Sequence, residues 1–279
     1  MTGSPIIDYH VHECHSRDAP NATIQSLIEA AEAKCVEEIA FTSHLILEGP
    51  DMYLGVQIDE LDGYFRQVEE AQRDTAARLR AGLEVDYFPS QERQIEAIID
   101  EHPLDYVLGS THYINGVDVG SRVEARGFFT GRPLGEAADE YFTVWKAAVE
   151  SGLFDAMAHP DYWRKFLHTA RAEPATWNEY GEVVAEAIDS LVSHDVGVEV
   201  NTSATRHNLG GFYPVREFLE AAHGAGVRKV TLGSDTHAPE VLGYLIPEAA
   251  RLLSEVGFKQ VSTFKGRVNS SMSLSRLLG

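Results

Sequence analysis

Cysteine is nearly missing from this sequence: Cys14 and Cys35 are the only two in 279 residues. Two unevenly placed thiols exclude a disulfide framework and lead to the expectation of a reducing, cytoplasmic setting. Basic residues are scarce as well. Lys and Arg number 23 against 43 Asp and Glu, a formal net charge of −20. That balance opposes non-specific attraction to nucleic acid backbones or anionic lipid, so nucleic acid is an unlikely partner. No apolar run approaches membrane-spanning length. The start passes from Met1 through Pro5-Ile6-Ile7 straight into histidines, without the basic and apolar segments of an export signal. There is no phosphate-cradling GxxxxGK[ST] loop and no G-x-S-x-G elbow, which weighs against nucleotide-driven transfer and serine chemistry. No Gly/Ser linker or short repeat divides the chain, so a single domain over 1–279 is expected.

What is present is an alternation of short apolar runs and longer amphipathic stretches, the pattern of parallel strands joined by crossover helices. Strands are predicted near 6–12, 37–44, 79–86, 105–112, 153–159, 196–202 and 229–235. Helices are predicted over 23–35, 58–78, 90–101, 136–151, 177–194, 214–225 and 239–256, with Pro89 and Pro214 suited to a first turn and Gly152, Gly226 and Gly257 to a stop. Seven βα units suggest a barrel. Residues 113–135, which hold five glycines, are expected to be the longest irregular excursion.

Six of the twelve histidines, His10, His12, His44, His112, His159 and His237, fall at or just beyond the C-terminal end of a predicted strand. In a parallel barrel those ends converge on one face, so residues distant in sequence meet around one ligand. Strand alternation places Asp8, His10 and His12 on one side, with Asp8 expected to fix the tautomer of a ligating imidazole. The same period aims Asp235 and His237 together, and a barrel brings its first and last strands side by side. Glu84 and Asp86 share a face opposite Leu83 and Val85. Glu84, flanked by apolar residues, has little water near it and needs a cation or paired donors.

Taken in order, the segments Asp8-x-His10-x-His12, Thr42-Ser43-His44, Gly82-Leu83-Glu84-Val85-Asp86, Gly109-Ser110-Thr111-His112-Tyr113, Ala158-His159-Pro160-Asp161, Glu199-Val200-Asn201-Thr202-Ser203 and Gly233-Ser234-Asp235-Thr236-His237 form a colinear set. On these residues the sequence resembles the polymerase and histidinol phosphatase, or PHP, family, and within it the histidinol-phosphatase branch. The resemblance covers nearly the whole chain. It implies an α/β fold, a distorted seven-stranded (β/α)7 barrel, with two to three divalent ions from among Zn, Mn and Fe. His10, His12, Glu84 and Asp235 would hold one ion. Glu84 would bridge to a second held by His112 and His159, and Asp18, His44 and His237 would hold a third. Family members carry either histidine or aspartate at the position of Asp18, and His15 and Cys14 in the same loop are alternative third-site ligands.

The implied activity is that of a metal-dependent phosphomonoesterase, with L-histidinol phosphate as the first substrate to test. Hydroxide shared between two ions would attack phosphorus, and Glu84, Asp235 and His237 are the expected catalytic residues. A phosphate ester also needs cationic partners. Arg164 and Lys165 follow one metal-site strand and Arg206 with His207 another; in this branch such loops resemble a phosphate clamp. Asn201 and Ser203, on the face of Glu199, are expected near the pocket. The expected partner is therefore a small phosphate ester, with no membrane, and no oligomeric state is read from the sequence. Alternative readings are a phosphodiesterase or nuclease, amidohydrolase-type C–N hydrolysis, and a metal-stabilised accessory domain.

Overall fold

The computed structural model describes residues 4–279. Its strands are β1 (Ile6–Val11), β2 (Val36–Leu45), β3 (Arg78–Asp86), β4 (Tyr106–Ser110), the short pair β5 (Tyr113–Ile114) and β6 (Val117–Asp118), β7 (Ala156–Met157), β8 (Gly197–Asn201), β9 (Val230–Gly233), β10 (Gln260–Lys265) and β11 (Val268–Ser273). The helices are α1 (Ile24–Lys34), α2 (Leu61–Ala71), α3 (Glu92–Glu101), α4 (Arg122–Phe129), α5 (Leu134–Glu150), α6 (Trp177–His194), α7 (Arg216–Ala225), α8 (Ile246–Val256) and α9 (Leu274–Leu278). Seven strands form one parallel sheet in the order β1-β2-β3-β4-β7-β8-β9. The sheet curls until its two edges meet. His12 N–H donates to Thr236 O (2.8 Å) and Thr236 N–H to His10 O (3.1 Å), which nearly closes a barrel.

The strands are buried on both faces, as parallel strands under crossover helices must be; all five residues of β4 and of β8 are inaccessible. Helix α6 shows why the amphipathic stretches become helices. Thr176 and Glu179 form a reciprocal capping box at its start, Tyr180, Val184, Ala187, Ile188 and Leu191 recur along one buried face, and Asp195 ends it in the left-handed conformation. Each large side chain so buried contributes about 1.5–3 kcal/mol before entropy is charged against it. One hydrophobic cluster runs from Ile7 to Leu277. The β10–β11 hairpin caps the N-terminal strand ends: Phe264 N–H donates to Tyr9 Oη (2.8 Å), and Tyr9 O–H donates to Glu38 (2.7 Å). No helix among the described residues is long and apolar enough to cross a membrane.

Three expectations require correction. The stretch 113–135 is mostly ordered structure. Asn115-Gly116, both with positive φ, makes the tight turn of the β5–β6 hairpin, and Ser121 caps α4 by accepting from Glu124 N–H. The last long helix begins at Ile246 rather than Pro239, because Gly243 and Leu245 adopt left-handed backbone and Gly243 N–H is drawn to Asp8 (2.8 Å). Alternation along β1 also breaks. Its pairing with β2 shifts register between Asp8 and Val11, so Asp8 turns to Ser234 and Gly243 while His10 and His12 turn together elsewhere.

Candidate metal centre

Six strand ends and the loop after β1 bring their donors to one spot. His10 and His12, at the end of β1, aim Nε2 atoms at each other across 3.0 Å. Glu84 Oε2, from β3, lies 3.3 Å from His10 Nε2 and 3.5 Å from His12 Nε2, and Asp235 Oδ1, just after β9, lies 3.8 and 3.5 Å from them. A tetrahedral ion with N and O ligands separates its donors by about 3.4 Å. These four donor atoms are therefore spaced as ligands of one cation.

The other oxygen of Glu84 faces a second group, with Oε1 at 3.0 Å from His159 Nε2 and 3.8 Å from His112 Nε2. A third group is more open: Asp18 Oδ2 lies 3.1 Å from His237 Nε2 and 3.4 Å from His44 Nε2. Asp18 thus occupies the position left open in sequence. His15 is turned away, its Nδ1 held by Glu13 at 2.7 Å, and Cys14 also points to Glu13.

Partners behind the donors fix their orientation. His10 Nδ1 lies 2.8 Å from Glu199 Oε1, so Glu199, rather than Asp8, is the acceptor for that ring nitrogen and turns Nε2 towards the other donors. Glu199 also accepts from His159 N–H (3.0 Å) and from Asn201 (3.1 Å). Asp86 performs the same service for His112, whose ring Nδ1 and backbone N–H both lie 3.1 Å from its oxygens. Ser16 stands behind His12 Nδ1 at 3.2 Å. The sequence signal for Glu199 was present, a carboxylate inside the apolar run Gly197–Asn201, but its partner was not visible. Asn201 donates to Glu199 (3.1 Å) and accepts from Ser203 N–H (2.9 Å), and neither Asn201 nor Ser203 lines the cavity. Gly233 is required where β9 passes this layer: a Cβ there would stand 1.9 Å from Glu199 Oε1 and 2.5 Å from His10 Cβ.

The electrostatics call for bound positive charge. Burial pushes Glu84 towards neutrality, yet His10 and His44 pull its carboxyl well below the usual range; Asp235 is held low in the same way, against burial, by His10, His12 and His237. Burial disfavours the charged form of His10, but Glu199, Glu84 and Asp235 overcome it and hold that imidazole well above its ordinary value. His12, 3.0 Å away, is pushed well below by burial and by His44 and His237. His159 Nδ1 is buried with no hydrogen-bond partner, and Glu84 Oε2 is answered by His44 Nδ1 at 2.9 Å in an ion pair without hydrogen-bond geometry; coordination of the surrounding donors to cations would relieve both conditions. His159 and Asp235 also take positive φ, strain that a non-glycine residue accepts only where the surroundings enforce it. The donor set fits divalent ions.

Above the donors opens a cavity of about 350 Å³. Lys165, Arg206 and His207 line it, as do Asp51, Tyr113 and Asp118 on the opposite wall. Burial lowers the Lys165 ammonium, which donates to Tyr162 Oη (2.7 Å). Arg206 donates to Asp235 O (2.7 Å) and keeps a buried Nη1 without a partner. Burial and the nearby Lys165 bring His207 down to about 4. Arg164 is the exception among the expected phosphate ligands. Its guanidinium pairs with Asp161 (2.8 Å) behind the cavity wall and does not reach the lining.

A nearly closed parallel barrel with histidine and carboxylate donors converging at the C-terminal strand ends defines a metal-dependent hydrolase scaffold. The family model described as PHP domain matches residues 8–203, and the chain belongs to that family. A Deinococcus radiodurans protein named Probable histidinol-phosphatase is 30% identical over 275 residues, covering 96% of this chain and 98% of that protein. The Lactococcus lactis protein named Histidinol-phosphatase is 27% identical over 269 residues, 93% of this chain and 94% of the relative. The crystal structure of histidinol phosphate phosphatase from Lactococcus lactis, complexed with zinc, L-histidinol and phosphate, superposes with a TM-score of 0.80 at 25% identity, covering 95% of this chain and 98% of that one.

Proposed function

We propose that this chain, acting as one domain over residues 1–279, is a metal-dependent phosphatase that hydrolyses L-histidinol phosphate to L-histidinol and phosphate. The observation that carries the reading is Glu84: a buried carboxylate whose two oxygens face two separate sets of histidines, above which lies a cavity edged by Lys165 and Arg206. The similarity to named histidinol-phosphatases over nearly their whole length supports the choice of substrate.

His10, His12, Glu84 and Asp235 would hold one ion, Glu84, His112 and His159 a second, and Asp18, His44 and His237 a third. Zinc, named in the Lactococcus structure, is the ion to try first, with Mn and Fe as alternatives. When bound, such ions lower the pKa of a water ligand and neutralise phosphoryl oxygens. The protein's own groups do the rest. Glu199, Asp86 and Ser16 keep ring nitrogens aimed inward. Lys165 and Arg206 offer donors to the non-bridging oxygens, and the unpartnered Arg206 Nη1 is free to do so. His237 Nδ1 lies 3.0 Å from Asp235 O, which keeps Nε2 turned towards Asp18, so Glu84, Asp235 and His237 would act through the ions they hold.

The test is phosphate release from chelated protein reconstituted with Zn or Mn, using histidinol phosphate, p-nitrophenyl phosphate, a nucleoside monophosphate and a bis-p-nitrophenyl diester, with His159→Ala alongside. Metal-dependent release led by histidinol phosphate and lost in the variant is expected. Diester preference, or equal rates from metal-free protein, would overturn the proposal.

A further inference from the structure

Glu13 belongs to none of the three donor groups, yet it is fully buried beside them. Desolvation disfavours a carboxylate in such a place, and packing alone would be served by an apolar residue. Its partners reveal a pattern. Oε1 accepts from Ser43 Oγ, and Oε2 accepts from His15 N–H (3.1 Å), His15 Nδ1 (2.7 Å) and Cys14 Sγ (3.5 Å). Ser43 immediately precedes His44 in β2, while Cys14 and His15 lie in the β1–α1 loop that carries Asp18.

The same loop is stitched to β2 a second time. Ser16 N–H donates to Glu13 O (2.8 Å), and Ser16 Oγ accepts from His44 N–H (3.0 Å). Ala19 N–H then donates to Ser16 O (2.9 Å), closing the turn that carries Asp18. Two cross-links therefore flank His44, one through Glu13 and one through Ser16. Asp18 supplies the oxygen of the outermost group, and its place opposite His44 and His237 depends on this loop. Glu13 has a second effect. By engaging His15 Nδ1 it turns that ring against Tyr64, at 5.4 Å edge-on, and away from the centre.

We infer that Glu13 is a positioning residue for the outermost cation site: its buried carboxylate clamps the loop after β1 to β2, so that Asp18 and not His15 faces His44 and His237. The inference rests on the reading that the centre holds three ions. A carboxylate suits the task because both oxygens accept, and charged acceptors hold their donors more firmly than neutral ones. In Glu13→Gln the amide N–H2 can face Ser43, whose hydroxyl then accepts, so volume and connectivity survive while the charged acceptor is lost and the bonds to His15 and Cys14 become neutral ones, about half as strong.

The full-length chain, chelated and reconstituted with zinc, is titrated against a competing chelator, with ions per chain counted by mass spectrometry and the melting temperature recorded. Glu13→Gln is expected to weaken the third ion by about 10- to 100-fold while leaving the first two bound. Ser43→Ala, which removes a single donor, should move the third ion in the same direction by less. Third-ion affinity in Glu13→Gln within about two-fold of the parent overturns the inference and leaves the metal reading intact. A uniform loss of all three ions with the melting temperature in both variants overturns it too, since Glu13 would then serve folding alone. Fewer than three ions on the parent chain overturns the inference through the reading beneath it.

Discussion

The inner and outer halves of the donor cluster are built differently. His10, His12, Glu84 and His159 are at most 1% exposed, whereas the side chains of Asp18 and His237 are 34% and 33% exposed. The inner donors sit on or beside strands and are backed by buried carboxylates, Glu199 behind His10 and Asp86 behind His112. Of the outer group only His44 lies in a strand; Asp18 and His237 come from loops, the first pinned at the surface by the exposed Arg17–Glu60 pair. Charges kept from water must be answered by cations or hydrogen bonds, while charges near water are answered partly by solvent. On the proposed function, the inner half is therefore where metal binding and folding would be coupled, and the outer half where ions and substrate would exchange.

Several substitutions break or sharpen that contrast. The largest effect belongs to Glu84→Gln, which unbalances two inner groups at once; turnover of histidinol phosphate should fall by on the order of 10³-fold or more, and metal counting should show the inner ions lost. Retention of both inner ions would break the contrast. Next is Glu199→Gln, which replaces the acceptor behind His10 without emptying the core. Inner-ion affinity is expected to fall about 10- to 100-fold, read by chelator competition, and an unchanged affinity would show that strand geometry alone fixes His10.

Asp18→Asn tests the outer half: the third ion should weaken while the melting temperature of the reconstituted protein stays close to that of the parent. Chelating the parent should lower the melting temperature, since ligand at 100 times its dissociation constant stabilises the fold by about 2.7 kcal/mol. Most of that drop should accompany loss of the inner ions during a graded chelator titration. The smallest effect is the sharpest comparison: Lys165→Ala should raise KM for histidinol phosphate, whereas Arg164→Ala, one residue earlier but paired with Asp161, should act mainly on stability. Equal rises in KM from both would mean that the wall carrying Arg164 opens during binding.

The outline of the barrel was legible because apolar runs and amphipathic stretches obey different periods, and each predicted strand has a counterpart in the sheet. Boundaries were less so: the strand predicted over 153–159 is reduced to Ala156–Met157, and the 113–135 segment folds into a hairpin and α4 because Asn115-Gly116 and Ser121 carry turn and cap chemistry that a glycine count conceals. The C-terminal hairpin escaped notice because β11 is mostly exposed and has little alternation to read. Among the site residues, His10, His12, His44, His112, His159, Glu84, Asp235 and His237 were marked by their place at strand ends and Asp18 only by the family resemblance, and the fold gathers them all. Arg164 was misplaced for a simple reason: neighbours in the 3-10 helical segment Tyr162–Thr169 point in different directions, and sequence proximity to Lys165 says nothing of which one meets the cavity.

By itself the sequence determined which residues could act, since donor chemistry and strand-end position are properties of the chain. Only the tertiary structure decided how they are paired. Glu199 rather than Asp8 backs His10 because a register shift in β1 turns Asp8 towards Ser234 and Gly243, and Asp18 rather than His15 faces the outer group because Glu13 already holds His15. Such choices depend on distances of a few tenths of an ångström between segments up to 235 residues apart, and local periodicity carries no information about them.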